Sequence, residues 1–242
     1  MPISVVYDST CIAPTGRCCL WTVPAGVESV SFEIWGGGGG GGGGVMVCDC
    51  CARTQAGGGG GYSIKELAVT PGAQYTVCAG NGGFPSSCTD YGAEIAYCSN
   101  GTPGGTSFVT GTGLSNFCAT GGAGGCNNFT ITCYGHCGCN GANGGQGYGG
   151  TINGTGTAGI KGMAGGSNAC DSYSIGGTAA GPGGGVGGWN NGTFPSGNAC
   201  ANPRMHGRVP GGGGAGSGCG NACACCNQGS GRGAPGFVKI TW

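Results

Sequence analysis

The segment CYGHCGC carries the side chains best suited to metal chemistry, Cys133, His136, Cys137 and Cys139. Thiolate sulfur and imidazole nitrogen are ligands that Zn²⁺ prefers, and the Cys-x-x-His spacing is usable for one ion. Structural zinc sites usually take ligand pairs from two separated segments, whereas these four residues form a single cluster. Because the chain has 20 cysteines, we expect disulfides here instead of a metal, and we expect no cofactor.

Two further clusters share the pattern C-x-C-C and follow glycine-rich runs. Their members are Cys48, Cys50 and Cys51 in CDCC, and Cys223, Cys225 and Cys226 in CACC. We interpret them as two loop tips joined by disulfides at one end of a glycine-rich bundle, where each bond typically contributes about 2–4 kcal/mol. The alternatives are cysteine-rich loops with unrelated partners, or a metal or iron–sulfur centre.

Catalytic patterns are weak in this sequence. The eight carboxylates are spread singly, without a close pair for acid–base work, and there are two histidines. No G-x-S-x-G motif occurs, and no glycine run carries the G-K-[ST] ending of a phosphate-binding loop. We therefore expect a protein that is not an enzyme.

Aromatic side chains between the glycine blocks are the remaining candidates for recognition. They are Tyr91, Tyr97, Phe129, Tyr134, Trp189 and Phe194. Aromatic rings beside Asn and Thr combine flat apolar area with hydrogen bonding, which suits contact with a receptor. The alternative is that these rings cap the ends of a glycine bundle as small local cores.

The elements that must position these residues are strands at the two ends of the chain and a glycine-rich middle. ESVSFEIWG and the closing GFVKITW alternate apolar and polar residues, which predicts half-buried strands. GYSIKELAVTPGAQYTVCAG predicts two more strands around a Pro71-Gly72 turn. No window holds a helical apolar period for ten residues, so we expect essentially no α-helix.

The glycines of the middle recur with a period of three. At every third position from Gly141 to Gly165, eight of nine residues are glycine, and a shorter run links Gly181, Gly184 and Gly187. Three residues per turn is the period of the polyproline-II helix, and glycine on one side of such helices lets their backbones touch. We expect a bundle of polyglycine-II-type helices whose N–H and C=O groups bond sideways to neighbouring helices.

Charge and composition limit the partners. Eight basic and eight acidic residues balance to zero, so we expect no nucleic acid, because phosphate binding needs a basic face. No apolar run reaches the 18 or so residues of a membrane span, so we expect no membrane insertion. The start MPISVVYDSTC lacks the features of a signal peptide, while the cysteine density is typical of oxidising surroundings.

Three stretches occur in a fixed order: WTVPAGVESVSFEIWGGGGGGG, GGGGGYSIKELAVTPGAQYTVCAGNGG and GAPGFVKITW. Over about residues 21–83 and 230–242 this set resembles the glycine-rich domain of bacteriophage tail-fibre and other virion proteins. The central glycine blocks also resemble the distal adhesins of some phage tail fibres, which are polyglycine-II sandwiches with receptor-binding loops at the tip. The cysteine content departs from those adhesins.

The resemblance implies a non-enzymatic virion structural protein, most simply a tail-fibre or adhesin component that contacts the host. A capsid decoration or minor capsid (cement) protein and an extracellular glycine-rich filament protein are the alternatives. The implied partners are other virion proteins, sister subunits, and a host-surface glycan or outer-membrane protein. The implied location is the virion surface, after synthesis in the host cytoplasm.

These observations combine into one predicted architecture. We expect a mainly β protein in which N- and C-terminal strands form a small antiparallel sheet or sandwich, joined to a polyglycine-II bundle with disulfide-linked loops. Residues 1–100 and 230–242 form the predicted β-rich base. Residues 101–229 form the predicted bundle, and both parts belong to one continuous domain.

Overall fold

The structure is a computed structural model of the whole chain. It describes residues 2–8, 18–43, 46–47, 50–51, 55–90, 96–126, 142–164, 172–191, 203–216 and 230–242. Two five-stranded antiparallel sheets dominate the described residues. The predicted absence of α-helix is confirmed there, where one 3₁₀ turn at Pro203–Met205 is the helical element. None of the described helical residues forms a segment long and apolar enough to span a membrane.

The first sheet joins the two ends of the chain, as the sequence predicts. Its strands, in spatial order, are β1 (Ser4–Tyr7), β17 (Phe237–Thr241), β3 (Ser29–Trp35), β6 (Tyr62–Ala68) and β13 (Ile152–Gly154). Strand β17 lies between β1 and β3, with Ile240 opposite Phe32 and Val238 opposite Ile34. These four side chains are fully buried, so the predicted alternation of apolar and polar residues is confirmed in both strands.

The second sheet is built from strands on either side of the glycine runs. Its spatial order is β12 (Gly147–Tyr148), β11 (Cys118–Ala119), β10 (Ser107–Thr110), β7 (Gln74–Cys78) and β2 (Cys18–Thr22). A disulfide joins Cys18 to Cys78, which lie opposite each other in β2 and β7. Cys19 is also disulfide-bonded.

One hydrophobic core holds the two sheets together. The Trp21 ring lies 5.9 Å from the Phe32 ring, and Phe32 lies 5.1 Å from Tyr75, so aromatic contacts cross from one sheet to the other. Val77 and Val109 of the second sheet join the same buried cluster. Rings at these separations add roughly 0.5–1.5 kcal/mol per pair beyond the area they bury.

The predicted turn at Pro71-Gly72 is confirmed, and it carries the chain from one sheet to the other. Gly72 has φ +83°, and the Ala73 N–H donates to the Thr70 carbonyl at 3.0 Å. A type II turn requires a positive φ at its third position, which glycine adopts readily, and favours proline at its second. Strands β6 and β7 therefore follow each other in sequence but belong to different sheets.

Glycine-rich tracts connect the strands of the fold. We call them together the glycine-rich body: residues 36–43, 55–61, 79–87, 99–106, 120–126, 142–146, 155–159, 176–188, 206–216 and 230–236. The tract of residues 36–42 gives its N–H groups to three other segments in rotation. Its donor and acceptor pairs are Gly36 to Gly61 (3.0 Å), Gly37 to Gly105 (2.9 Å), Gly38 to Ala234 (2.8 Å), Gly39 to Gly58 (2.8 Å), Gly40 to Thr102 (3.0 Å), Gly41 to Gly231 (2.9 Å) and Gly42 to Gln55 (2.8 Å).

The carbonyl groups of the same tract accept from three further segments. The donors are Gly122 to Gly37 (2.9 Å), Gly83 to Gly38 (2.8 Å), Gly214 to Gly39 (2.8 Å), Gly125 to Gly40 (2.8 Å) and Ser86 to Gly41 (3.1 Å). The tract of residues 36–42 therefore has six hydrogen-bonded neighbours, and its partners repeat every third residue. A pleated strand differs, because its bonds alternate between two neighbours.

Close approach of these neighbours explains why the tract is all glycine. At every position from Gly36 to Gly42, a Cβ atom would lie closer than 3.0 Å to the backbone of another segment. Real Cβ atoms essentially never show such distances. Glycine is required here because backbones occupy the space of the side chains.

Within the described residues 142–164, the run of regularly spaced glycines does not form one continuous tract. Strands β12 and β13 interrupt it and join the five-stranded sheets. Between these strands, Gly149 with φ +70° reverses the chain. The predicted division at residues 100 and 229 stays a prediction.

Candidate functional site

Chain connectivity gives the glycine-rich body a distal end, remote from the five-stranded sheets. The tract of residues 36–43 starts at the end of β3, and the tract of residues 55–61 ends at the start of β6. The short pair β4 (Met46–Val47) and β5 (Cys50–Cys51) connects their far ends. The pair β8 (Cys88–Asp90) and β9 (Ala96–Cys98) connects the next two tracts in the same way.

A three-stranded antiparallel sheet lies at this distal end. It consists of β14 (Ile160–Ala164), β15 (Ser172–Ile175) and β16 (Trp189–Asn191). Strand β15 is central, and tracts of the glycine-rich body lead into β14 and β16. The Ser174 side chain is buried and its hydroxyl donates to the Gly216 carbonyl at 2.9 Å, which ties this sheet to the body.

Three apolar side chains form a row across the outer face of this sheet. Ile160 lies opposite Ile175, and Ile175 lies opposite Trp189. Ile160 is 52% exposed, Ile175 is 39% exposed and Trp189 is 42% exposed. Residues directly opposite each other in neighbouring strands share a face, so the three side chains form one surface. We call it the distal apolar row.

Of the six aromatic residues predicted to take part in recognition, Trp189 lies in this exposed apolar surface. Ile160 and Ile175 were not among the predicted residues, because only strand register brings them beside Trp189. Tyr97 lies in β9, where its backbone pairs with Thr89. The other four predicted aromatic residues lie outside the described residues: Tyr91, Phe129, Tyr134 and Phe194.

The predicted cysteine sites fall largely outside the described part of the chain. Cys50 and Cys51 form β5, where Cys50 pairs with Val47 and Cys51 with Met46. The remaining predicted cysteine and histidine residues lie outside the described residues: Cys48, Cys223, Cys225 and Cys226 of the disulfide clusters, and Cys133, His136, Cys137 and Cys139 of the metal candidate. Within the described residues, no group of three or more His, Cys, Asp or Glu side chains could hold a metal ion.

A polar contact marks the junction between the first sheet and the glycine-rich body. The buried Tyr62 hydroxyl donates to Glu33 Oε1 at 2.8 Å, and Lys239 Nζ lies 3.4 Å from Glu33 Oε2. Burial, followed by the hydrogen bond to Glu33, raises the pKa of Tyr62 well above its usual value. The neighbouring Trp35 ring packs on Tyr62 with centroids 5.2 Å apart. This contact lies where the tract of residues 36–43 begins and the tract of residues 55–61 ends.

A family model described as a glycine-rich domain matches residues 13–242. The chain belongs to this glycine-rich domain family. The match spans the glycine-rich body and every strand of the two five-stranded sheets except β1, so the family covers nearly the whole chain. No curated protein matches the sequence.

Proposed function

We propose that the protein is a non-enzymatic structural protein of the virion surface, a phage tail-fibre or adhesin component that contacts the host through its distal end. The observation that carries the proposal is the distal apolar row, held far from the sheets by the glycine-rich body. An exposed aromatic ring between two exposed isoleucines offers apolar area that a receptor can cover. Binding would require no turnover.

We further propose that the glycine-rich body is a bundle of polyglycine-II-type helices. Three features support this. The hydrogen-bond partners of residues 36–42 repeat every third residue, as three residues per turn requires. The tract has six neighbours. Its Cβ positions are occupied by other backbones. A body bonded in three directions would resist bending better than a single sheet, which suits a projecting attachment device.

The opposite end offers a surface for other virion proteins or sister subunits. Strands β1 and β2 are the end strands of their sheets. Ile3 is 59% exposed, Val6 is 52% exposed and Leu20 is 59% exposed beside these edges. An edge strand with exposed apolar side chains favours association with another chain. The same edges would serve a capsid decoration or cement protein, which is the second candidate.

An adsorption assay tests the attachment role. Purified protein with intact disulfides is added to host cells before the phage that encodes it, and adsorbed phage are counted. We expect the wild-type protein to reduce adsorption and the Ile175→Ser, Trp189→Ser double variant to lose this effect. The matched control is Ile152→Ser, which alters an exposed isoleucine of β13 in the first sheet and should block adsorption like wild type.

Two results would contradict the proposal. Protein that neither binds cells nor reduces adsorption would remove the attachment role. Absence of the chain from purified particles, measured by mass spectrometry, would remove the virion assignment altogether. Presence in particles at capsid-like copy number, without any effect on adsorption, would favour the decoration protein.

A further inference from the structure

A second surface lies on the flank of the glycine-rich body, where Arg232 meets Phe84. The Arg232 guanidinium carbon lies 4.8 Å from the centre of the Phe84 ring. The backbones are adjacent as well, because the Gly233 N–H donates to the Gly83 carbonyl at 3.0 Å. Both side chains reach solvent, and Phe84 is 56% exposed. A guanidinium over an aromatic face has a restricted position, yet it keeps its N–H donors available at its edges.

The next tract contributes His206 directly beside Arg232, and Arg208 two residues further along. The Arg232 N–H donates to Nδ1 of His206 at 2.9 Å, and the Gly207 N–H donates to the Arg232 carbonyl at 2.9 Å. Arg208 follows on the same tract and is exposed. We call Phe84, Arg232, His206 and Arg208 the basic strip.

The basic strip has no acidic neighbour in its own tracts. Residues 80–87, 203–216 and 230–236 contain neither Asp nor Glu. The ion pair found among the described residues joins Lys239 to Glu33 in the first sheet, so neither Arg208 nor Arg232 is paired with a described carboxylate. In a chain whose net charge is zero, this is a local concentration of positive charge with unused hydrogen-bond donors.

We propose that the basic strip binds an anionic polysaccharide. Guanidinium groups form bidentate, charge-assisted hydrogen bonds with carboxylate, sulfate or phosphate groups. The exposed Phe84 ring adds a flat apolar surface for the C–H face of a sugar. A polysaccharide offers both features in alternation along an extended chain. The inference goes beyond the proposed function, because it concerns a different surface and holds whether or not the chain belongs to a virion.

Nucleic acid is the less suitable ligand for this surface. Its affinity grows with the number of phosphates that basic residues neutralise, and the strip offers two arginines. An anionic lipid surface is also less suitable, because membrane attachment by charge normally needs a cluster of four or more Lys or Arg residues. Both ligands are therefore included as competing outcomes in the test.

The test measures binding of the purified full-length protein to dextran sulfate at several salt concentrations, with neutral dextran as the reference. We expect binding of dextran sulfate alone, weakening as salt rises. Arg232→Gln and Arg208→Gln should each raise the Kd about tenfold, the usual effect of losing a charge-assisted contact. Phe84→Ala should raise the Kd severalfold. The matched control is Lys65→Gln in β6, which removes one positive charge elsewhere and should leave the Kd within about twofold of wild type.

Thermal unfolding of each variant shows whether it is folded, and we expect midpoints close to that of wild type. Failure of the wild-type protein to bind dextran sulfate at low salt would overturn the proposal. An equal loss in Lys65→Gln and Arg232→Gln would also overturn it, since net charge and not the strip would then decide binding. Tighter binding to single-stranded DNA or to vesicles of anionic phospholipid would overturn the choice of polysaccharide.

Discussion

Replacing Gly39 by alanine should destabilise the protein severely, although the change adds one methyl group. Gly39 lies in the middle of the tract that has six neighbours. A Cβ atom at this position would collide with the Ala123 carbonyl oxygen, and would lie 2.6 Å from the Ala123 carbonyl carbon and 2.9 Å from the Gly122 oxygen. Ordinary contact begins at 3.4 Å, so the neighbouring backbone must retreat by about 1 Å.

That displacement would break hydrogen bonds that the backbone cannot replace. Gly122 donates to Gly37 at 2.9 Å, Gly58 donates to Ala123 at 2.9 Å, and Ala123 donates to Asn143 at 2.8 Å. A retreat of this size takes the first two beyond hydrogen-bond distance. Each buried group left without a partner costs about 1–3 kcal/mol, and the two broken bonds leave four such groups, so we expect a total loss of about 4 kcal/mol or more.

Such a loss is a large part of the 5–15 kcal/mol that typically stabilises a folded protein. For a chain of this length, each kcal/mol shifts Tm by about 2–4 °C, so Tm should fall by at least about 8–16 °C. The assay is thermal unfolding followed by circular dichroism, with urea unfolding as a second measure. Disulfides are kept oxidised in both, because their loss would obscure the effect.

Gly72→Ala provides the matched control. A Cβ atom at Gly72 meets nothing within 4 Å, and the cost comes from its φ of +83° alone. That strain is worth about 1–2 kcal/mol. If Gly39→Ala unfolded at the wild-type temperature or above, the packing argument would be refuted. If the tract were extended but unpacked, Gly39→Ala would instead stabilise the protein by about 0.4–1 kcal/mol, because alanine restricts the unfolded chain more than glycine does.

Two further predictions concern the disulfide and the tyrosine at the junction. Replacing both Cys18 and Cys78 by alanine should lower the free energy of unfolding by about 4 kcal/mol, because the disulfide closes a loop with a sequence separation of 60. Cys118→Ala, which removes a free cysteine, is the control, and equal Tm values for the two variants would contradict this. The pKa of Tyr62 is raised in the folded state, so its contribution to stability is complete below pH 10 and is lost as the pH rises above 10. Stability measured by urea unfolding should therefore decline less between pH 10 and 12 in Tyr62→Phe than in wild type. An unchanged decline would contradict this.

Local patterns of the sequence predict four strands of the two five-stranded sheets, β3, β6, β7 and β17, but not the other six, β1, β2 and β10 to β13. Alternation in β3 and β17 is enough to predict both strands, and their apolar residues are buried in the core. The Pro71-Gly72 turn follows equally from local chemistry, since proline presets one φ and glycine permits the next. These elements depend on residues within a few positions of one another.

The lateral arrangement of the glycine tracts cannot be predicted in the same way. Every tract offers the same backbone donors and acceptors, so the sequence does not distinguish one neighbour from another. A tract on the surface also needs glycine only where a neighbour touches it, which explains why Phe84, Val186 and Arg232 fit within such tracts and reach solvent. A run of consecutive glycines therefore identifies a tract with neighbours on all sides better than glycine at every third position does.

The candidate site was predicted in part, for a related reason. Trp189 stands out as an aromatic residue between glycine blocks. Its neighbours Ile160 and Ile175 are 29 and 14 positions earlier in the chain and meet it only through strand register. The same holds for the disulfide, because Cys78 pairs with Cys18 across two strands that the sequence does not align.

Amide hydrogen exchange tests the central claim most directly, namely that backbone amides bonded sideways make the glycine-rich body a folded interior. The measurement compares the amides of Gly36–Gly42 with those of Phe32 and Ile34 in the buried strand β3. Amides held in a cooperative interior exchange only when the whole structure opens. We predict that the glycine amides exchange as slowly as those of β3. Exchange at the rate of unstructured polyglycine, with β3 still protected, would contradict the account.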